Sequence, residues 1–415
     1  MKILIVNQPL CNRGDESAHR ALVRSLSDSL PTAEITVLWV NGNADSIRQF
    51  SLGMPKIHYL NVHSRKWFHQ VADAGLKRGR RWLWHCHPTS RKLLRLYREH
   101  PWVICAPGGI CMGGFQNWDH LLMLEMARYS GCKIAYYGRS IGPFPTQTKD
   151  NRLFREISLR LLHYFSFLSL RDKKSEELAG ELDLRFVSTV DTAFLDRPHP
   201  TLPAELEHFT QENYVVFVPN LLIWHYAYRG KLTLKDVLCF YAGILQEICR
   251  QYPGQQVLML PQTFDYGTYE GDDILFFKDL ERHCQNDRLV VLNDTYSSDI
   301  QQTLIARASC VIGARYHSVV FALNNAVPFL ALSYEHKING LLSALGKEDL
   351  AVDISGDRLF SATGREKVIQ EFSESIKNLQ PDQEAMHLAG QKAAKCFDQL
   401  KTILLSDMTD DRHKY

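Results

Sequence analysis

Arg315 and His317, on either side of Tyr316, are the side chains of this sequence best suited in type and spacing to do chemistry. Arginine is a permanent cation whose planar fork grips a carboxylate or a phosphate, and histidine carries protons near neutral pH. The apolar run 310–312 reads as a buried strand ending at Gly313, so both side chains stand beyond a strand's carboxyl end. Ser318 is placed to cap a helix over 319–325, and Val327-Pro328 starts another strand over 329–333. Strand, loop, helix and strand in this order belong to a parallel α/β sheet, where ligands bind outside the carboxyl ends of the strands. Tyr334, Glu335, His336 and Lys337 make a second polar cluster at the next strand end. The structural alternative for His317 is a helix cap or a hydrogen bond across a domain interface.

Similar clusters occur at earlier strand ends. Asn12-Arg13-Gly14-Asp15 follows a short apolar run and precedes a helix over 17–29, in which Ala18, Ala21, Leu22, Ser25 and Leu26 fall at helical spacing. Backbone N–H groups at a helix start can hold an anion, although an Asp there also serves as a cap. Gly108, Gly109, Gly113 and Gly114 crowd one loop over 106–114, which either faces a ligand or packs tightly. A strand over 133–137 leads to a Gly138–Pro143 turn that contains Ser140. Arg171 opens the segment after a strand over 165–170; it can fork onto an anion or pair internally with Asp172 or Asp191.

With 415 residues the chain suits two domains, set here at 1–196 and 214–405, joined by a linker over 197–213. An amphipathic segment over 383–405 is long enough to pack across both, and 406–415 is expected to be a disordered tail. The net charge of +2 gives no global reason to expect a nucleic acid partner. No apolar run reaches membrane-spanning length, and the opening run is too short for a signal-peptide core. Ten cysteines without CxxC or metal-ligand spacing suggest reduced, buried thiols in a cytoplasmic protein without zinc. Segment 64–100 stands out, with ten Lys or Arg against Asp73 and Glu99, and with Trp67, Phe68, Trp82, Trp84 and Tyr97 interleaved. It reads as a solvated helical face, or as a patch for an anionic membrane surface or a phosphate-bearing acceptor. Single-stranded nucleic acid is a more distant reading.

Asn12-Arg13-Gly14-Asp15, Pro107-Gly108-Gly109, Ser140-Ile141-Gly142-Pro143, Arg171-Asp172 with Ser175, Asp191-Thr192-Ala193-Phe194, Arg315-Tyr316-His317-Ser318, Val327-Pro328, and Tyr334 with Lys337 come in this order over 7–346. The pattern resembles the polysaccharide pyruvyl transferase family, which takes in capsular and exopolysaccharide biosynthesis proteins. The resemblance implies an α/β chain of two Rossmann-like domains facing across a cleft, of glycosyltransferase-B type. It implies transfer of a pyruvyl group from phosphoenolpyruvate to two hydroxyls of one sugar, closing a cyclic ketal without a cofactor or metal. His317 and Arg315 would be catalytic. Arg171, Asn12, Asp15, Gly108, Gly109, Ser140, Tyr334 and Lys337 would bind substrate.

The implied partners are phosphoenolpyruvate and a lipid-linked or nucleotide-linked sugar or glycan. A peripheral contact of 64–100 with the inner face of the membrane is a further expectation. The glycine run before Ile110 is shorter than the family's usual one, and 221–235 is idiosyncratic, so the resemblance places no acceptor contact. Two alternatives share these residues, since a fold does not fix a function. One is a glycosyltransferase with a nucleotide-sugar donor, where Arg315 and Lys337 would hold a diphosphate and a carboxylate near Gly14 would act as base. The other is a non-catalytic glycan-binding member.

Overall fold

The computed structural model describes residues 1–264 and 268–412, with side chains described as far as Asp407. The chain forms two parallel-sheet α/β units. The first takes residues 1–10, 18–195 and the chain from Lys392 onward. Its strands are β1 (Lys2–Val6), β2 (Glu34–Val40), β3 (Ile57–Val62), β4 (Trp102–Cys105), β5 (Gly108–Gly113), β6 (Lys133–Gly142), β7 (Phe167–Leu170) and β8 (Val187–Ser188). They pair in the order β3-β2-β1-β4-β6-β7-β8, with β5 added on β6, and every pairing is parallel. Such a sheet is covered on both faces, so its strands are apolar throughout and successive side chains enter opposite cores. Leu4 and Val6 join one core with Val103, Cys105 and Tyr136, whereas Ile3 and Ile5 join the other with Trp102, Ile104 and Tyr137.

The C-terminal helix Gln383–Arg412 contributes Cys396, Phe397, Leu400 and Leu404 to the second of these cores. Asp407 accepts hydrogen bonds of 2.7 Å from the Trp102 indole N–H and from Lys133 Nζ. The tail expected to be disordered from 406 is therefore helical through Arg412, because a buried indole N–H and a cation hold its carboxylate; 413–415 lie outside the described residues. In the helix Arg13–Ser29, His19 is fully buried beside Phe50, with ring centroids 4.8 Å apart. Among the described residues neither of its ring nitrogens has a hydrogen-bond partner, and burial, helped by Arg20, pushes its pKa down from 6.5 to about 3.

The second unit takes residues 11–17 and 196–391. Its strands β9 (Tyr214–Val218), β10 (Gln256–Met259), β11 (Leu289–Val291), β12 (Cys310–Gly313), β13 (Phe329–Ser333) and β14 (Ala351–Asp353) pair in parallel in the order β11-β10-β9-β12-β13-β14. Counted from β9 this is the Rossmann order, whose direction reverses between the first and fourth strands, here β9 and β12; crevices at such reversals are where ligands bind.

Five further expectations need correction. Residues 11–17 belong to the second unit, so the first is not simply 1–196. Asn12 bridges Thr263 in antiparallel fashion, the Arg13 N–H reaches the Gln262 carbonyl at 2.9 Å, and the Ser17 hydroxyl accepts from Gln302 at 3.1 Å. The loop expected over 106–114 contains β5, and β6 continues through Gly142 because Gly138, at φ 56°, keeps the chain in the sheet despite a register shift. The linker region carries a helical turn, Ala204–Glu207. Ser318 caps nothing, because its helix starts earlier, at Tyr316. All ten cysteines are free thiols; Cys105, Cys132, Cys310 and Cys396 are buried, while Cys86 and Cys239 are exposed. Among the described residues no helix is long and apolar enough to cross a membrane.

Acidification is expected to weaken the first unit. The unfolded chain protonates His19 near pH 6.5 while the folded chain refuses the proton until about pH 3. Stability is therefore full above pH 6.5 and falls through that window by about 1.4 kcal/mol per pH unit from this group alone. Urea unfolding of the parent and of His19→Leu between pH 6.5 and about 5 should differ in slope by that amount; parallel pH profiles would refute it.

Candidate active site

The site in the second unit starts from a glycine. A β-carbon built on Gly14 would lie 1.8 Å from His317 Nδ1 and 2.0 Å from Cγ, so only a hydrogen atom fits beneath the imidazole. Two polar motifs about three hundred residues apart in sequence thus meet in direct contact. Asn12 prepares the lower surface. Its Oδ1 accepts the N–H groups of Gly14 at 2.8 Å and Asp15 at 3.2 Å, capping the helix Arg13–Ser29. Asp15 follows as the third residue of that helix and is half-buried. Arg13 is buried; its guanidinium engages Glu16 and the Thr295 carbonyl and lies 4.4 Å from the Phe264 ring centroid.

His317 occupies the first turn of the helix Tyr316–Asn324, is 8% exposed, and meets Tyr316 edge-on at 5.0 Å. Arg315 is the residue before that helix. Its Nη2 donates to Asp273 and, at 2.8 Å, to the Thr263 hydroxyl. Asp273, itself buried, also accepts the backbone N–H groups of Gln262 and Thr263 at 2.9 Å. Burial works against the Arg315 charge, but Asp273 outweighs it and holds the guanidinium pKa above its ordinary value. The Arg315 Nε–H is buried with no hydrogen-bond partner among the described residues, and every hydrogen bond of this side chain runs through Nη2. A guanidinium fixed by one corner, with a second donor unfilled, suits an incoming oxyanion.

Tyr334 follows β13 and is 6% exposed; its hydroxyl accepts Asn220 Nδ2 at 3.1 Å, and burial raises its pKa well above the usual range. Asn220, just after β9, also accepts the Trp224 indole N–H at 2.8 Å, and the Trp224 and His225 rings stand edge-on to Tyr334 at 6.3 and 5.5 Å. Lys337 pairs with Glu335 at 3.3 Å. Sequence reasoning missed Asp273, Thr263 and Asn220. Asp273 did carry a signal, as the second of two adjacent carboxylates at a helix start, where Asp272 is the cap.

The other expected substrate residues stand in the first unit. Arg171 is buried and pairs with Asp191, whose Oδ1 accepts the Ala193 N–H at 3.0 Å; of the readings open for Arg171, the internal pair is the one formed. Ser140 lies within β6 and is 2% exposed. Gly108 and Gly109 begin β5. The Gly109 carbonyl accepts Arg139 at 3.1 Å, and its α-carbon faces open space. Gly113 serves packing, since a β-carbon there would lie 2.5 Å from the Gly142 carbonyl. This unit also holds a cavity of about 290 Å³ lined by Asn7, Trp39, Cys111, Asn117, Asp119 and His120. Burial, then Arg139, pushes the His120 pKa well down, so its imidazole is neutral. Among the described residues no group of three or more His, Cys, Asp or Glu is placed to hold a metal ion.

The pattern that opens at the cap Asn12 and runs past His317 has a known counterpart: the model of the polysaccharide pyruvyl transferase family matches residues 12–336. This chain belongs to that family. Among curated proteins it is similar to the amylovoran biosynthesis protein AmsJ of Erwinia amylovora, 24% identical over 390 residues that cover 85% of this chain and 88% of the relative. Among solved structures it resembles UGT89C1 of Arabidopsis thaliana in complex with UDP, at TM-score 0.54 and 14% identity over 97% of this chain and 98% of the other. It also resembles the UDP-GlcNAc 2-epimerase of Methanocaldococcus jannaschii, at TM-score 0.53 and 12% identity over 96% and 100%. At such identities the structural likeness speaks for the fold alone, two Rossmann-like units as in glycosyltransferase-B proteins.

The contact at Gly14 makes a prediction of opposite sign to helix propensity. Alanine normally favours a helix over glycine by about 1 kcal/mol. Gly14→Ala should instead destabilise the chain by about 1–3 kcal/mol, because the methyl group must displace a buried ring. Equilibrium unfolding measures this, and a variant as stable as the parent would show that His317 does not rest there.

Proposed function

We propose that this family member transfers the pyruvyl group of phosphoenolpyruvate to two hydroxyls of one sugar, forming a cyclic ketal during cell-surface polysaccharide biosynthesis. The observation that carries the reading is the pairing of a half-used Arg315 guanidinium with His317, seated on Gly14. Phosphoenolpyruvate brings a carboxylate and a phosphate, and a fixed cation next to a proton carrier is what its chemistry asks for.

In this scheme the Arg315 donor edge receives one of the donor's anionic groups, while Asp273 and Thr263 keep the guanidinium from turning. Protonated His317 gives its proton to the methylene carbon, which becomes the methyl group and leaves C2 electron-poor. A sugar hydroxyl adds to C2 and returns its proton to His317. The C2–O bond to phosphate then breaks, the second hydroxyl adds, and its proton leaves with the phosphate. Atoms and charge balance with phosphoenolpyruvate as the only donor, and no electron is transferred, so the scheme needs no redox cofactor. Tyr334 and Lys337 are assigned to positioning the donor or the sugar, and the sugar is carried on a lipid or a nucleotide.

Phosphate release tests the reading. The full chain is incubated with phosphoenolpyruvate, alone and with a mixed extract of lipid-linked and nucleotide-linked sugars. Acceptor-dependent release is expected, with His317→Ala lowering kcat by about 10²–10⁴ when assayed at a temperature where the variant stays folded. A fall below tenfold removes His317 from proton transfer. No release, combined with thermal stabilisation by a nucleotide sugar but not by phosphoenolpyruvate, overturns the donor in favour of glycosyl transfer.

A further inference from the structure

The mechanism above leaves unused the most unevenly charged stretch of the chain. Segment 64–100 holds ten of the 48 Lys and Arg but only two of the 46 Asp and Glu, leaving 38 cations against 44 anions elsewhere. A nearly neutral protein therefore carries a basic pole. Three elements build it: the helix Phe68–Lys77, the short helix Arg81–His85 and the helix Pro88–Glu99. The Trp84 indole is packed against Gly75, where a β-carbon would lie 2.0 Å from Nε1, so the short helix is fixed on the first one. His87 bonds the Lys66 carbonyl at 2.9 Å, and the Arg65 N–H bonds Thr89 at 3.0 Å, which ties the start of the third helix to residues 65–66.

Part of the charge is spent internally. Lys77 pairs with Asp73 and lies 4.3 Å from the Trp118 ring, and Arg81 is one of three arginines around the buried Glu125. The remainder is not. On the helix Pro88–Glu99, Arg91, Lys92, Arg95 and Arg98 are exposed, while Leu93, Leu94 and Tyr97 are buried behind them. Arg65 and Lys66 are exposed beside Trp67, and Arg78 and Arg80 are exposed just before Trp82. None of these eight cations has an ion-pair partner among the described residues. The two indoles are 71% and 63% exposed. Trp67 also holds a left-handed backbone at φ 67°, costly for a bulky side chain, and its ring gains no burial in return.

We infer that residues 64–100 dock the protein on an anionic lipid bilayer surface, the exposed lysines and arginines meeting the headgroups and Trp67 and Trp82 entering the interface. Cations in this number and without internal partners complement a negatively charged leaflet, and the amphipathic indole is at home at the headgroup level. A row of cations on one solvent-facing helix face, with its apolar face already buried, suits a flat charged surface better than a groove that threads and stacks bases. This inference stands apart from the pyruvyl-transfer reading, because its test reads binding and not turnover.

The full chain is spun with vesicles of phosphatidylcholine, with and without about one-third phosphatidylglycerol, in about 0.05 M and about 0.5 M salt. Pelleting is expected only with anionic vesicles and should weaken at least about tenfold at the higher salt. Arg91→Glu, Lys92→Glu, Arg95→Glu and Arg98→Glu together should also weaken it at least about tenfold, with an unchanged thermal melt. Trp67→Ser with Trp82→Ser should weaken binding while keeping its salt dependence, and Arg78→Glu with Arg80→Glu provides a second charge test away from the helix. A parent chain that stays in the supernatant, a folded charge-reversed protein that pellets like the parent, or tighter binding to oligouridylate than to the vesicles at equal salt would each overturn the inference.

Discussion

The candidate site depends on the absence of one methyl group. Because Gly14 offers only hydrogen to the His317 ring, the helix that starts at Arg13 and the helix that starts at Tyr316 share an imidazole between them. The rest of the site is arranged so that this contact can hold. Asn12 fixes the backbone below the ring through the Gly14 and Asp15 N–H groups, and Asp273 fixes the neighbouring Arg315. Asp273 is in turn held by two backbone N–H groups, so the carboxylate that anchors the cation is itself anchored. A buried ion pair of this kind contributes little net stability, but removal of one partner costs about 3–5 kcal/mol. Its value here is positional: it sets one corner of the guanidinium and leaves another donor unfilled.

The chain's other arginines show how much context decides. Arg13 and Arg171 lie in equally suggestive motifs, yet each is buried against a carboxylate of its own unit, Glu16 and Asp191 respectively. A sequence supplies the cation without saying where its counter-charge comes from. Arg315 differs in keeping 15% of its side chain exposed, against 2% and 6% for those two, and in standing two residues from His317.

Local periodicity was enough to read the alternation of strands and helices, the strand end at Gly313, and the placement of Arg315 and His317 beyond it. Legibility ended where partners are distant. Nothing near residues 11–17 announces that their hydrogen-bond partners are Gln262, Phe264, Thr295 and Gln302. A glycine-rich stretch reads as loop by composition, but Gly113 takes part in a strand by letting the Gly142 backbone come close. The last turns of the C-terminal helix look like a polar tail until Trp102 and Lys133 claim Asp407. Family membership was legible because it rests on the order of short motifs, which survives although the curated relative shares only 24% identity.

The interleaved membership of the units bears on how the protein is made. The second unit includes residues 11–17, and their partners at 262–317 emerge from the ribosome about 250 to 300 residues later. The first unit is completed by the last helix, which brings Leu400, Leu404 and Asp407 to a core begun at Ile3. Neither unit can therefore reach its final packing until its distant segments have been made, and long-range closure of this kind slows folding. Until those segments arrive the nascent chain exposes unfinished apolar surface. The same interleaving bars simple exchange of halves between relatives: a gene fusion joined near 196 would combine a helix start from one parent with the histidine it must accommodate from the other.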